Sequence, residues 1–166
     1  RPPTARTWCR SRRWRGCSIS SDGRYVTFGS YATNLVPDDS NGVTDVFIKD
    51  RFTGATMRAS LDDSELQGDG ASSNARISGD GRIVAFQSVA TNLWPGDTNG
   101  LPDVFVRDRQ TGKTRRVSVS SGGTQGNGGS IEPASPPFGV NRMSISFDFG
   151  SAGSRASRTR FAPFSR

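Results

Sequence analysis

Two short runs carry oxygen side chains at a spacing that suits a hard cation: Asp39, Asn41, Gly42 and Asp45, and again Asp97, Asn99, Gly100 and Asp103. Each reads Asp-x-Asn-Gly-x-x-Asp. Alternating oxygens, a glycine that allows a sharp turn and a closing carboxylate are elements of a calcium loop, since Ca2+ gathers about six to eight oxygens from a tightly curled segment. The runs lack an acidic residue just before the glycine and close on Asp rather than the longer Glu, so carbonyls and water would complete the shell. Asp39, Asn41, Asp45, Asp97, Asn99 and Asp103 are therefore candidate ligands for a structural Ca2+ that braces a loop. The same residues also suit a plain turn, with Asn-Gly bending the chain and Asp45 and Asp103 capping the next strand through local side-chain to backbone bonds.

Other candidate chemistry is thinner. Asp22 and Asp80 sit in Asp-Gly-Arg runs, where a hairpin turn already explains an aspartate. Asp50 and Asp108 precede Arg51 and Arg109, a pattern expected of solvated surface charges or a strand-end cap. The chain has no histidine, so a Ser-His-Asp triad or a His-ligated metal centre cannot be complete within it. The Gly-rich runs lack the Lys-Ser/Thr pair and following helix of a phosphate loop and read as connectors. No catalytic residue is assigned, and the chain is read as a non-enzyme.

These residues recur because the chain repeats. The segment 18–75 reappears as 76–133 at a constant offset of 58, with about half of the aligned positions identical. In the second copy, "ARIS" (Ala75 to Ser78) predicts a short strand and Asp80-Gly81 a tight hairpin. "RIVAFQS" predicts a strand that is apolar on both faces, as in a stack of sheets. A loop from Val89 to Pro102 holds the candidate calcium run. "DVFVRD" and "KTRRVSVS" predict two more strands, followed by a Gly-rich connector. Phe28, Phe47, Phe86 and Phe105 lie on β-prone runs and are expected in the core.

Four antiparallel strands per unit without a helix predict an all-β protein: a partial β-propeller of two four-stranded antiparallel blades from a 58-residue tandem repeat, with irregular termini. Blades are assigned to 18–75 and 76–134, flanked by Arg-rich segments 1–17 and 135–166. A ring needs about four to eight blades, so two are expected to belong to a longer protein or to self-associate through uncovered sheet edges and faces.

The net charge of +7 suggests a nucleic-acid partner until its distribution is read. Residues 18–134 hold eleven Lys and Arg against fourteen Asp and Glu, while the two ends hold eleven Arg against the single Asp148. The ends, rich in Arg, Pro, Ser and Ala, have the composition that out-of-frame reading of GC-rich DNA yields. The alternatives are an inert, disordered and solvated tail or a basic tail that binds nucleic acid, with Trp8 and Trp14 stacking on bases beside Arg10, Arg12, Arg13 and Arg15. Nucleic acid is not the favoured partner. Cys9 and Cys17 suit a disulfide in an exported protein but form no framework. Arg1 stands where a start Met is expected, so targeting information is expected upstream, and no run is long enough to span a membrane.

"ISSDGRYVTF" and "ISGDGRIVAF", followed by "DVFIKDRFTGATMRAS" and "DVFVRDRQTGKTRRVS", resemble the TolB-like, WD-repeat-like propeller family of bacteria. The resemblance covers both repeats and fails at both ends. It implies propeller blades, a periplasmic or extracellular setting, and a role as a protein-interaction or structural module whose partner is another protein or neighbouring blades. It equally admits an accessory or gating domain of a larger hydrolase, a peptidase or polysaccharide-acting enzyme with its catalytic domain elsewhere.

Overall fold

The computed structural model describes residues 17–131; the segments 1–16 and 132–166 lie outside the described residues, and with them nearly all of the Arg-rich ends. Among the described residues, eight strands form two four-stranded antiparallel sheets. The first contains β1 (Ser18–Ile19), β2 (Tyr25–Ser30), β3 (Asp45–Asp50) and β4 (Thr56–Arg58). The second contains β5 (Ser72–Ile77), β6 (Ile83–Ser88), β7 (Asp103–Asp108) and β8 (Lys113–Arg116). Each sheet is a simple meander in chain order. No helix occurs among the described residues, so none is long and apolar enough to cross a membrane.

The turn between β1 and β2 is set by the Ser-x-Asp-Gly run. Gly23 donates its N–H to Ser20 O, and the positive φ falls on glycine alone, at Gly23 (73°) and Gly81 (75°). The aspartate does not share that backbone conformation; it works through its side chain. Asp22 Oδ1 accepts from Arg24 N at 3.0 Å and from Ser20 Oγ at 2.5 Å, and Asp80 does the same toward Arg82 N and Ser78 Oγ. The turn is thus a side-chain-capped loop that ends in a left-handed glycine.

Two boundaries differ from the sequence pattern. Strand β5 begins at Ser72 rather than Ala75, because a bulge between Ser73 and Arg76 lets the chain pair on both sides of it, with Asn74 at φ 57°. At the other end, β8 stops at Arg116. From Val117 the chain swings away into a connector closed by a Val119–Gln125 bridge, which matches a Leu61–Gln67 bridge in the first copy.

The core lies between the sheets. Val46, Ile48 and Ala59 of the first blade pack with Ala75, Ile77, Val84, Phe86, Ala90, Leu93 and Phe105 of the second, and Tyr25 and Trp94 flank them. Alternation explains the grouping: Val84 and Phe86 point into this seam, whereas Ile83 and Ala85 point the other way and join Val106 in a smaller cluster. Phe47, Phe86 and Phe105 are fully buried as expected, and Phe86 and Phe105 stack at 5.9 Å between ring centroids. Phe28, whose face has no described sheet against it, is only half-buried.

The first connector crosses the second blade closely enough to exclude side chains. A Cβ added at Gly70 would meet the Ala90 backbone at 2.8–2.9 Å, whereas one added at the repeat-equivalent Gly128 would meet nothing within 4 Å. Gly70→Ala is therefore expected to destabilise the fold by about 1–3 kcal/mol through overpacking, and Gly128→Ala to be near neutral. Denaturant unfolding of both variants checks this; equal losses would show that the seam is not packed as described.

Candidate functional site

The two loops that carry the Asp-x-Asn-Gly-x-x-Asp runs are built alike. In the first, β3 opens with Asp45, which is completely buried. Ser60, just past β4, accepts from Val46 N at 3.3 Å and donates from Oγ to Asp45 Oδ1 at 2.5 Å. Gln67 reaches in from the connector, and its Nε2 donates to both Asp39 Oδ1 (2.9 Å) and Asp45 Oδ2 (2.7 Å). The Gln67 side-chain Oε1 accepts from Ser40 N and Oγ.

The cation facing these carboxylates is a guanidinium. Arg58, at the end of β4, places Nη2 3.4 Å from Asp39 Oδ1 and Nε 3.6 Å from Asp45 Oδ2, with its side chain 6% exposed. Those two nitrogens make no hydrogen bond, so the pairing is ionic rather than a closely docked fork. Two buried carboxylates sharing one positive charge would be costly if nothing else offset them. The amide of Gln67, the hydroxyl of Ser60 and the Asn41 amide, 3.2 Å from Asp45 Oδ2, supply the remaining donors.

The second loop repeats this almost atom for atom. Gln125 Nε2 donates to Asp97 Oδ1 (2.7 Å) and Asp103 Oδ2 (3.0 Å), and Ser118 Oγ donates to Asp103 Oδ1 (2.5 Å). Arg116 Nη1 lies 3.6 Å from Asp97 and 3.5 Å from Asp103.

Of the candidate calcium ligands, the structure brings Asp39 together with Asp45 and Asp97 together with Asp103. It does not bring the Asn oxygens to them. Asn41 Oδ1 accepts from Val43 N and Asn99 Oδ1 from Leu101 N, while their amides donate to Gly68 O and Gly126 O. Among the described residues, no group of three or more His, Cys, Asp or Glu is placed to hold a metal ion. Asn-Gly makes the turn in each loop, but Asp45 and Asp103 bond the side chains of Ser60 and Gln67 and of Ser118 and Gln125 rather than capping the next strand through local backbone N–H groups. Arg58, Ser60 and Gln67, with Arg116, Ser118 and Gln125, were not singled out in the motif. Each is identical between the two copies, which was the available signal.

Asp50 and Asp108 close a second ion pair in each blade. Arg24 grips Asp50 through Nε and Nη2, the latter at 2.8 Å, and Arg82 grips Asp108 with Nη2–Oδ2 at 2.6 Å. Asp50 also accepts from Phe52 N and Thr53 N, and Asp108 from Gln110 N. These aspartates anchor the turns after β3 and β7 rather than forming free surface pairs with Arg51 and Arg109. The Arg82 bond, opposed by desolvation, carries the Asp108 carboxyl down from an ordinary 3.8 to about 2, and Arg24 likewise holds Asp50 well below the usual range.

The sheets, their meander order and the seam between them define this part of the chain as two consecutive β-propeller blades. Among solved structures, the chain is similar to the TolB-designated protein of Agrobacterium tumefaciens, at TM-score 0.43 and 19% identity, over 63% of this chain and 30% of that one. It is also similar to TolB from Acinetobacter baumannii, at TM-score 0.41 and 24% identity, over 67% of this chain and 22% of that one. The chain thus spans less than a third of either protein. No protein-family model and no curated protein matches it.

Because the folded pKa of Asp108 is depressed, its pairing stabilises the fold above about pH 4, and that contribution is lost as pH falls toward 2. The stability difference between the wild type and Arg82→Ala is therefore expected to be largest near neutrality and to shrink between pH 4 and 2. Denaturant midpoints across that range would measure it, and a difference independent of pH would contradict the pairing.

Proposed function

We propose that this chain is a non-catalytic pair of β-propeller blades that serves as a protein-interaction or structural module of an exported protein, in the periplasm or outside the cell. One observation carries the reading. The acidic side chains identical in the two copies, which are the ones most suited to chemistry, are committed to holding the blades: Asp22 and Asp80 in turns, Asp50 and Asp108 on arginines, and the Asp39–Asp45 and Asp97–Asp103 pairs in buried networks.

The exposed surface differs between the copies. Tyr31, Phe52 and Leu66 are 76%, 88% and 62% exposed, and their equivalents are Val89, Gln110 and Thr124. Exposed aromatic and aliphatic residues that vary from blade to blade suit recognition of another protein. The exported setting rests on the TolB-like resemblance of the repeats. The same blades would also serve as a gating or accessory domain of a larger hydrolase, a reading that a nucleophile and histidine encoded beside these blades would favour.

In this reading Arg58 and Arg116 fill the role that a loop calcium would have. Millimolar Ca2+ is expected to leave the melting temperature of the chain unchanged. Saturable binding with a higher melting temperature, lost in an Asp45→Asn/Asp103→Asn double variant, would assign the loops to calcium instead.

The recognition role is tested by replacing Tyr31, Phe52 and Leu66 with serine. Stability should stay within about 0.5 kcal/mol of wild type, while a protein cross-linked to the wild-type chain in periplasmic extract should no longer be captured. Undiminished capture would place recognition elsewhere.

A further inference from the structure

Asn-Gly occurs three times in the chain, at 41–42, 99–100 and 127–128. The pair has a chemistry of its own. Because the glycine has no Cβ to obstruct the approach, its backbone nitrogen can attack the asparagine side-chain Cγ. A C–N bond forms, the side-chain nitrogen leaves as ammonia with the proton of the glycine amide, and a succinimide ring remains. Water then opens the ring. Addition at the side-chain carbonyl gives aspartate and addition at the main-chain carbonyl gives isoaspartate, so the net reaction consumes water and releases ammonia.

The fold treats these pairs differently. Asn41 Oδ1 accepts from Val43 N at 3.0 Å, and its Nδ2 donates to Gly68 O at 2.9 Å and to Asp45 Oδ2 at 3.2 Å. Asn99 is held in the same way, by Leu101 N and Gly126 O, each at 2.9 Å. These bonds must break before Cγ can reach the glycine nitrogen, so both side chains react only through local opening. The Asn127 side chain is exposed and has no hydrogen bond or ion pair among the described residues. That exposure belongs to the position itself: the equivalent Asp69, with the second blade packed beyond it, is exposed as well.

The products point the same way. An aspartate at 41 would set a carboxylate against the buried Asp45 in place of an amide donor, a like-charge contact that the fold resists. An aspartate at 127 has a precedent within the chain. The first connector reads Gly-Asp-Gly at 68–70 where the second reads Gly-Asn-Gly at 126–128, and its Asp69 accepts from Thr91 N and Oγ1 at 2.7 Å. A Cβ added at Gly128 would meet nothing within 4 Å, so the backbone there has room to close the ring.

We propose that Asn127 is a site of self-modification, at which the folded chain converts asparagine to aspartate and isoaspartate while Asn41 and Asn99 are preserved. The change needs water and no enzyme. It gives the second connector the negative charge that the first carries from synthesis.

The experiment incubates the full chain in mildly alkaline buffer made with oxygen-labelled water and follows the label at each asparagine by peptide mapping. In the native chain, Asn127 is expected to convert about tenfold or more faster than Asn41 and Asn99. In guanidinium chloride all the Asn-Gly pairs should convert at rates within about threefold of one another, because the protection given by the fold is gone. Gly128→Ala, expected to keep native circular dichroism, should slow conversion at Asn127 about tenfold by placing a Cβ beside the attacking nitrogen, and should leave Asn41 and Asn99 unchanged. Equal rates at all the pairs in the native chain, a lag at Asn127, or conversion at Asn127 untouched by Gly128→Ala would each overturn the proposal.

Discussion

Everything in this molecule depends on the covering of one blade's face by the next. A four-stranded sheet with apolar residues on both faces cannot bury them by itself, and an isolated meander of this size is marginal in water. The seam resolves this on one side of each sheet, where Ile48 and Ala59 meet Val84, Phe86 and Phe105. The connector completes the cover, and its glycines at 68 and 70 let the backbone lie against Ala90 and Leu93. The buried Asp–Arg–Gln networks are best understood as the means of fixing that connector. Gln67 is a connector residue, and its side chain is locked to the outer loop of its own blade while its carbonyl receives Asn92 of the next. A polar cluster inside the blade thereby sets the position of an element that packs between blades.

Much of this was legible in the sequence, and for identifiable reasons. Strand number, meander order and the burial of Phe86 and Phe105 follow from local alternation and turn chemistry, which act over a few residues. Repetition then doubled every signal. The partners of Asp45 were harder to see, because Ser60 and Gln67 lie 15 and 22 residues away, and no local pattern brings them together. A carboxylate pair looks the same in sequence whether a metal or an arginine faces it. The distinguishing residue, Arg58, sits in a strand where it reads as a solvated charge. The bulge in β5 was hidden for a related reason: Asn74 is an ordinary loop residue by composition, and only the bond from its side-chain Nδ2 to Gln87 Oε1, beside the Ser73–Gln87 pair, ties it to the sheet.

Charge plays two separate parts here. Inside the blades it is repeated faithfully, since Arg24 and Arg82, Arg58 and Arg116, and their aspartates are the same in both copies. Between the blades it varies: Glu65 and Asp63 meet Arg107 and Arg115 at the internal seam, whereas their equivalents in the other copy are Gly123, Ser121, Lys49 and Met57. The first set holds each unit in shape and the second belongs to a particular junction. This division is what a repeat protein needs if identical units are to stack in a defined order, because a shared core alone would let any blade pack on any other.

The meander order also bears on how such a chain assembles in time. Every strand pairs only with its sequence neighbours, so each ladder closes a short loop and carries a small entropic cost. A blade can complete its hydrogen bonding as soon as its own residues have left the ribosome. It then carries a bare face until the next blade emerges, so synthesis proceeds as a series of brief exposures that each end when the following unit arrives.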